Sequence, residues 1–134
     1  NNRTFYGLDI LQNLDVTLNL IETIEEEGFY GLKYLITLDL SSNKIKSIRN
    51  RTFQGLVNLI RLDLRSNLIE SIEDDGFIDL INLNELNLPE NRLKIIKKKP
   101  FSYLLNVKII NLIKNFIEII QDECFKFNKN LEYL

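Results

Sequence analysis

Three carboxylates and two amides recur at one interval along the chain: Asp15, Asp39, Asp63, Asn87 and Asn111 stand 24 residues apart. If the fold sets them side by side, a row of carboxylates could hold a cation or a basic ligand. The same residues could serve the chain itself, because each precedes an aliphatic residue and aligned acids engage neighbouring polar groups. Catalytic chemistry is otherwise poorly provided for. The sequence has no histidine, so the commonest general base and metal ligand is absent. It has no glycine-rich phosphate loop, no serine elbow and no cysteine–histidine metal spacing. Neither an enzyme nor a bound cofactor or metal is expected. The one cysteine, Cys124, excludes an internal disulfide framework. It occupies a slot filled elsewhere by Gly28, Thr52, Gly76 and Pro100, which points to an inert thiol; pairing with a cysteine outside this sequence is the sharper alternative.

The elements that must position these residues are repeats. Counting from Leu11, the first unit reads Leu11-x-x-Leu14-x-Val16-x-x-Asn19-x-Ile21-x-x-Ile24, followed by Phe29 and Leu32. The same columns return at Leu35, Leu59, Leu83 and Val107 with no gap. This divides the chain into a partial repeat at 1–10, repeats at 11–34, 35–58, 59–82, 83–106 and 107–130, and a partial repeat at 131–134. The alternation at the start of each unit predicts a short strand with one buried face. A constant period stacks successive strands into one parallel sheet. The asparagine column (Asn19, Asn43, Asn67, Asn91 and Asn115) supplies an amide with both donor and acceptor for the turn that follows. The phenylalanine column, from Phe5 to Phe125, predicts an aromatic spine on the convex side. The column Ile24, Ile48, Ile72, Ile96 and Ile120 should fill the layer between spine and sheet. Segments such as Glu25-Glu26-Glu27-Gly28 predict turns of 3₁₀ type rather than full helices, and Pro100 suits a first helical position.

These residues resemble the typical 24-residue leucine-rich repeat, LxxLxLxxNxLxxIxxxxFxxLxx, and the resemblance covers essentially the whole chain. It is similar to repeats of Toll-type receptors, Slit-like guidance proteins, small leucine-rich proteoglycans and lamprey variable lymphocyte receptors. The resemblance implies an α/β leucine-rich repeat solenoid, a right-handed horseshoe arc with a concave parallel sheet of five or six strands and a convex side of loops. It also implies a binding role, although one scaffold hosts many ligands. Val16 and Val107 are mild departures, and Asn128 in a leucine column is a marked one. Members of this kind carry cysteine-rich caps, and no such cap stands here. That, with half-repeats at both ends and no methionine, leads us to expect an uncapped fragment of a longer array.

Recognition is expected on the concave strands, where the outward columns vary: Asn13, Thr37, Arg61, Glu85, Ile109 and Tyr133, and Thr17, Ser41, Arg65, Pro89 and Ile113. Asp39, Arg61, Asp63, Arg65 and Glu85 form the polar candidates. Ile109, Ile113 and Tyr133, rimmed by Lys108 and Lys114, form an apolar patch of the kind partners use. A cluster of Arg92, Lys94, Lys97, Lys98 and Lys99 falls in a convex loop. It lacks the interleaved aromatics of a nucleic-acid platform, and nucleic acid is not expected as a partner; an anionic polysaccharide is the alternative. Leu20, Leu68 and Phe116 share a lateral edge that could support a homo- or hetero-dimer. The net charge of −2 gives no global attraction to polyanions. No stretch is long and apolar enough to cross a bilayer, so this segment is not expected to touch a membrane. Asn2-Arg3-Thr4 and Asn50-Arg51-Thr52 are N-glycosylation sequons and argue for an extracellular or cell-surface home. The function expected is therefore non-enzymatic protein recognition in a receptor-type ectodomain. An intracellular cytoplasmic scaffold and a matrix protein binding collagen or glycosaminoglycan are the alternatives.

Overall fold

Each alternating step becomes a three-residue strand in the computed structural model, which describes residues 4–134. In chain order the elements are β1 (Asn13–Asp15), β2 (Thr37–Asp39), β3 (Ser47–Ile48), β4 (Arg61–Asp63), β5 (Ser71–Ile72), β6 (Glu85–Asn87), β7 (Ile95–Ile96), α1 (Lys98–Phe101), β8 (Ile109–Asn111) and β9 (Ile119–Ile120). The concave sheet runs β1-β2-β4-β6-β8, all parallel. Its register pairs Leu14 with Leu38, Leu38 with Leu62, Leu62 with Leu86 and Leu86 with Ile110. A parallel bridge from Ile109 to Tyr133 carries the sheet into the last partial repeat.

The buried face of this sheet forms one continuous core. Leu38, Leu62 and Leu86 point inward, followed by Leu40, Leu64 and Leu88, and all six are buried. Repeats two to four are covered on both sides. Leu11, Leu14 and Val16 of the first repeat, and Leu112, Ile117 and Phe125 of the fifth, are only partly buried. Ile24, Ile48, Ile72 and Ile96 fill the layer behind the sheet as expected, but Ile120 does not: it is 53% exposed. No described repeat packs on its outer side.

The asparagine column holds the turns together across repeats. The Asn67 amide donates to the carbonyls of Leu64 at 3.1 Å and Arg65 at 3.2 Å in its own repeat, and to Leu40 at 3.0 Å in the previous one. Its oxygen accepts the N–H of Ile45, also in the previous repeat, at 3.0 Å. Asn43 and Asn91 do the same, and Asn115 makes three of these bonds. Asn19 is exposed and reaches only carbonyls of its own repeat. The residue before each asparagine has positive φ: Leu18, Ser42, Ser66, Glu90 and Lys114, between 52° and 57°. None is glycine, so each bears a left-handed penalty of roughly 1–2 kcal/mol. The amide bonds on either side offset it.

On the convex side the phenylalanine rings stack at 5.8–6.2 Å from Phe5 to Phe77 with interplanar angles of 9–18°. At Phe101 the arrangement turns edge-on, 72° to both Phe77 and Phe125. The loops between are chains of hydrogen-bonded turns, such as Tyr30 N–H to Glu27 O and Leu32 N–H to Phe29 O, rather than assigned 3₁₀ helices. The fourth repeat alone forms a helix among the described residues, α1. Pro100 is its third residue, not its first; a first-turn N–H has no intrahelical acceptor, so proline is tolerated there as well. Asn128 is buried in the leucine column, where its amide donates to Phe101 O at 2.8 Å and Leu104 O at 2.9 Å. It thus exchanges apolar packing for two hydrogen bonds. Two short parallel sheets, β3-β5 and β7-β9, line the flank behind the asparagine turns and were not legible in the repeat pattern.

Two substitutions measure these layers. Asn67→Ala strands the buried N–H of Ile45 and takes one donor from each of three carbonyls, which keep Asn43, Asn91 and the Ser42 N–H, and should cost about 1–3 kcal/mol in urea unfolding. Asn19→Ala, at an exposed site, should stay within about 0.5 kcal/mol. Equal effects would remove the ladder from the account. Phe77→Ala should cost roughly 3–5 kcal/mol.

Candidate functional site

The concave carboxylate column first serves the chain. One oxygen of Asp15 accepts the N–H of Thr17 at 2.9 Å, Asp39 that of Ser41 at 2.9 Å, and Asp63 that of Arg65 at 3.1 Å. Asn111 does the same for Ile113 at 3.1 Å. Such Asx turns close the strand ends and explain why only aspartate or asparagine occupies the column. The exception explains itself: two residues after Asn87 stands Pro89, which has no N–H, and the Asn87 amide donates instead to Glu85 Oε1 at 2.6 Å.

Asp63 is not the open carboxylate that its column suggests. It is 1% exposed, covered by Arg65, whose Nε lies 2.9 Å from both carboxylate oxygens and whose Nη2 contacts Oδ2. Arg61 Nη2 lies 3.7 Å from Asp63 Oδ2, and Arg61 Nε reaches Glu85 Oε1 at 3.7 Å. Bonding to Asp63, then the charge of Asp63, raises the Arg65 guanidinium above its ordinary value. The face therefore offers two half-exposed guanidiniums and Glu85, with Asp63 beneath as their anchor. Asp39, Arg61 and Asp63 also line a hollow of about 390 Å³ with Asn13, Asp15 and Thr37.

Ile109 and Tyr133 meet through the parallel bridge. Tyr133 and Ile113 are about half exposed, so the apolar patch is present. Its cationic rim is largely neutralised, because Lys108 pairs with Glu132 at 3.7 Å and Lys114 with Glu90 at 2.6 Å. The Lys114 hydrogen bond, then that of Ser66, holds the Glu90 carboxyl below the usual carboxylate range. Ile36 and Ile60, just ahead of β2 and β4, are also exposed. They recur in one column, a signal that the sequence reading passed over.

The remaining candidates lie elsewhere. On the convex side Tyr103 OH donates to Asp75 at 2.6 Å, with Lys99 Nζ 3.3 Å from the same carboxylate. The Tyr103 bond, then that of Lys99, lowers the Asp75 carboxyl. Lys98 pairs with Glu123 at 2.8 Å, so the lysine run is partly spent within the fold. Asn50 is exposed and its oxygen accepts the Asp75 N–H at 2.9 Å. Thr52, the third residue of that sequon, is 1% exposed and its hydroxyl donates to Arg49 O at 2.9 Å. Asn2 lies outside the described residues. Cys124 is buried, its Sγ donating to Lys97 O at 3.2 Å, and burial pushes the thiol up to about 11. On the lateral edge Leu20 and Phe116 are exposed and Leu68 is half-buried. Among the described residues no helix is long and apolar enough to cross a membrane.

Asp63→Asn keeps the acceptor for the Arg65 N–H, whereas Asp63→Ala removes it and leaves the Arg65 guanidinium without its anchor, Arg61 keeping Glu85. The alanine variant should lose about 1–3 kcal/mol in urea unfolding and the asparagine variant less; the reverse order would refute the turn role. Asp75, Glu90 and Glu123 all have carboxyls lowered by hydrogen bonds from lysines or Tyr103. A depressed carboxyl stabilises the fold above its unfolded pKa and loses that stabilisation as pH falls through the folded value. Thermal unfolding should therefore move to lower temperature below about pH 4. Asp75→Asn should flatten that dependence.

The two ends of the sequence and everything between them meet one family description. A family model for leucine rich repeat matches residues 1–45, 33–93 and 81–134, which together span the chain. No curated protein matches it. With the parallel sheet, the asparagine turns and the phenylalanine spine in place, the chain belongs to the leucine-rich repeat family.

Proposed function

We propose that this chain recognises a protein ligand across its concave sheet, as part of an extracellular or cell-surface leucine-rich repeat protein. The repeat is a protein-interaction fold without catalysis of its own, and the reading that this chain is non-enzymatic follows from that and from its lack of histidine. One observation carries the recognition surface. A constant lattice of inward leucines and Asx turns presents an outward column that differs at every step: Asn13, Thr37, Arg61, Glu85, Ile109 and Tyr133. Along the arc this surface runs from the carboxylates of Asp15 and Asp39, through the Arg61–Arg65–Glu85 cluster, to the apolar Ile113 and Tyr133. A partner with basic groups at one end and an apolar anchor at the other fits that gradient.

A photo-crosslinking residue placed at Arg61 or Ile109 tests the surface, with Tyr30 in a convex turn as control. Secreted and membrane proteins from the source tissue are incubated with each variant and irradiated. Adducts should form from the concave positions; adducts from Tyr30 alone would displace the concave reading. Steep loss of the adducts with salt, together with competition by heparin, would favour the matrix polysaccharide alternative.

The compartment rests on the sequons. Asn50 is exposed, but the buried Thr52 means that an enzyme reading both residues must act before this repeat folds. Expression in a secretory eukaryotic host should add a glycosidase-sensitive mass at Asn50. The same transferase given the folded chain should add none. A secreted, folded protein with Asn50 bare would favour the intracellular scaffold.

A further inference from the structure

The flank behind the asparagine turns is not continuous. Backbone bonds zip the second repeat to the third, Glu70 N–H to Lys46 O at 2.9 Å and Glu73 N–H to Ile48 O at 2.8 Å. The equivalent bonds zip the fourth to the fifth, Glu118 N–H to Lys94 O at 2.8 Å and Gln121 N–H to Ile96 O at 3.0 Å. Between the third and fourth repeats both are missing, and β5 does not pair with β7. Only Arg92 N–H to Ile69 O, at 2.9 Å, joins the two repeats at the start of this stretch. The N–H groups of Lys94 and Lys97 are left without a partner among the described residues.

A hollow of about 710 Å³ opens over this break. Its apolar lining is Ile72, Ile95 and Phe116, the last two 47% and 63% exposed. Arg92, Lys94 and Lys97 stand around it, together with Ser71 and one acid, Glu70. The junction of the first and second repeats lacks the same bonds, but there Lys46, the lysine in the column of Lys94, is paired with Glu22 at 3.0 Å. At the third-to-fourth junction Glu70 is engaged by Arg92 at 3.9 Å, and Lys94 and Lys97 have no carboxylate within ion-pair distance among the described residues. Two ammonium groups, two open backbone donors and an exposed aromatic thus converge on one groove.

We infer that this groove docks an extended acidic segment of a partner protein, with carboxylates on Lys94 and Lys97 and an apolar side chain on Phe116 and Ile95. The charge calls for an anion, and the open N–H groups suit peptide carbonyls or carboxylates. The apolar floor selects a peptide over a sulfated polysaccharide, which has no side chain to cover Phe116. This is a second surface, separate from the concave sheet and independent of it.

The test uses the full chain and a short fluorescein-labelled peptide in which glutamates alternate with leucine and phenylalanine. Fluorescence anisotropy should show saturable binding that weakens with salt. Lys94→Glu with Lys97→Glu should weaken it at least roughly tenfold, and Phe116→Ser roughly threefold or more. Lys33→Glu, remote on the surface, should leave it unchanged. All the substituted side chains are exposed, and circular dichroism of each variant checks that the fold is kept. On the unmodified chain, peptide binding should slow hydrogen exchange of the Lys94 and Lys97 amides, which needs no variant. No saturable binding, equal binding to the charge-reversed protein, or unprotected Lys94 and Lys97 amides would overturn the proposal. Heparin binding that is indifferent to Phe116→Ser, without peptide binding, would replace the peptide by a polysaccharide. Self-association abolished by Phe116→Ser, again without peptide binding, would make a second copy the occupant.

Discussion

The structure depends on one buried amide in each of its inner repeats. A chain that turns through nearly a full loop after every three-residue strand must bury backbone groups that no regular sheet or helix can pair. Asn43, Asn67 and Asn91 meet that need with a single side chain each, donating to carbonyls of two successive repeats and accepting an N–H from the earlier one. Because each amide ties its own turn to the one before, the repeats cannot be stacked independently. Glutamine would be too long for this geometry, and aspartate would offer no donor to the carbonyls. The positive φ before every asparagine follows from the same constraint, since the chain must reverse sharply to bring its carbonyls to the amide.

This arrangement separates stability from recognition. The leucines, the asparagine and the Asx residue of each repeat are spent on the scaffold, including carboxylates that face the concave side. What remains on the strands is the residue before the first inward leucine, such as Thr37, Arg61 and Glu85, and the residue after the second, such as Arg65 and Ile113, and those positions carry the chemistry that differs between repeats. The cluster at Asp63 shows how the two overlap. Its carboxylate both closes a turn and anchors Arg65, so the scaffold holds a guanidinium in place for whatever binds above it. Fixing a long side chain in advance reduces the entropy that binding must otherwise remove.

The columns made much of this legible before any coordinates. The sheet register, the buried leucines, the asparagine bonds and the stacked rings all follow from residue type and a constant period, because a repeated cause has a repeated effect. The missing parts are those that occur once. The burial of Asp63 depends on arginines at both Arg61 and Arg65, which no other repeat has. The Asp75–Lys99–Tyr103 cluster joins two columns, Asp75 and Lys99 standing 24 residues apart in one, and needs residue types that coincide only at the third and fourth repeats. The neutralised lysine rim, by contrast, was legible and went unread: Lys108 and Glu132, and Glu90 and Lys114, each stand 24 residues apart, so the period itself sets them side by side. Strands of two residues, such as β3 and β5, are too short for alternation to announce them.

The irregular fourth repeat has a physical origin in one atom. At its slot the other repeats close the convex turn with an N–H three residues back: Gly28 to Glu25 O, Thr52 to Arg49 O, Gly76 to Glu73 O and Cys124 to Gln121 O. Pro100 has no N–H to give. Space is scarce there too, since a Cβ built on Gly76 would lie 3.0 Å from Glu73 O. The fourth repeat meets both limits by winding its turn into α1, held by Ser102 N–H to Lys99 O at 3.1 Å and Ser102 Oγ to the same carbonyl at 2.6 Å. The Phe101 ring at this repeat stands edge-on to both neighbours, and Asn128, where other repeats place leucine, donates to Phe101 O and Leu104 O. Just before the helix, Lys97 makes no bond back to Ile72, and the flank stands open at that point. The proline in the turn and the edge-on ring thus belong to one local solution, whereas the flank opens also between the first and second repeats, where the slot holds Gly28 and Thr52.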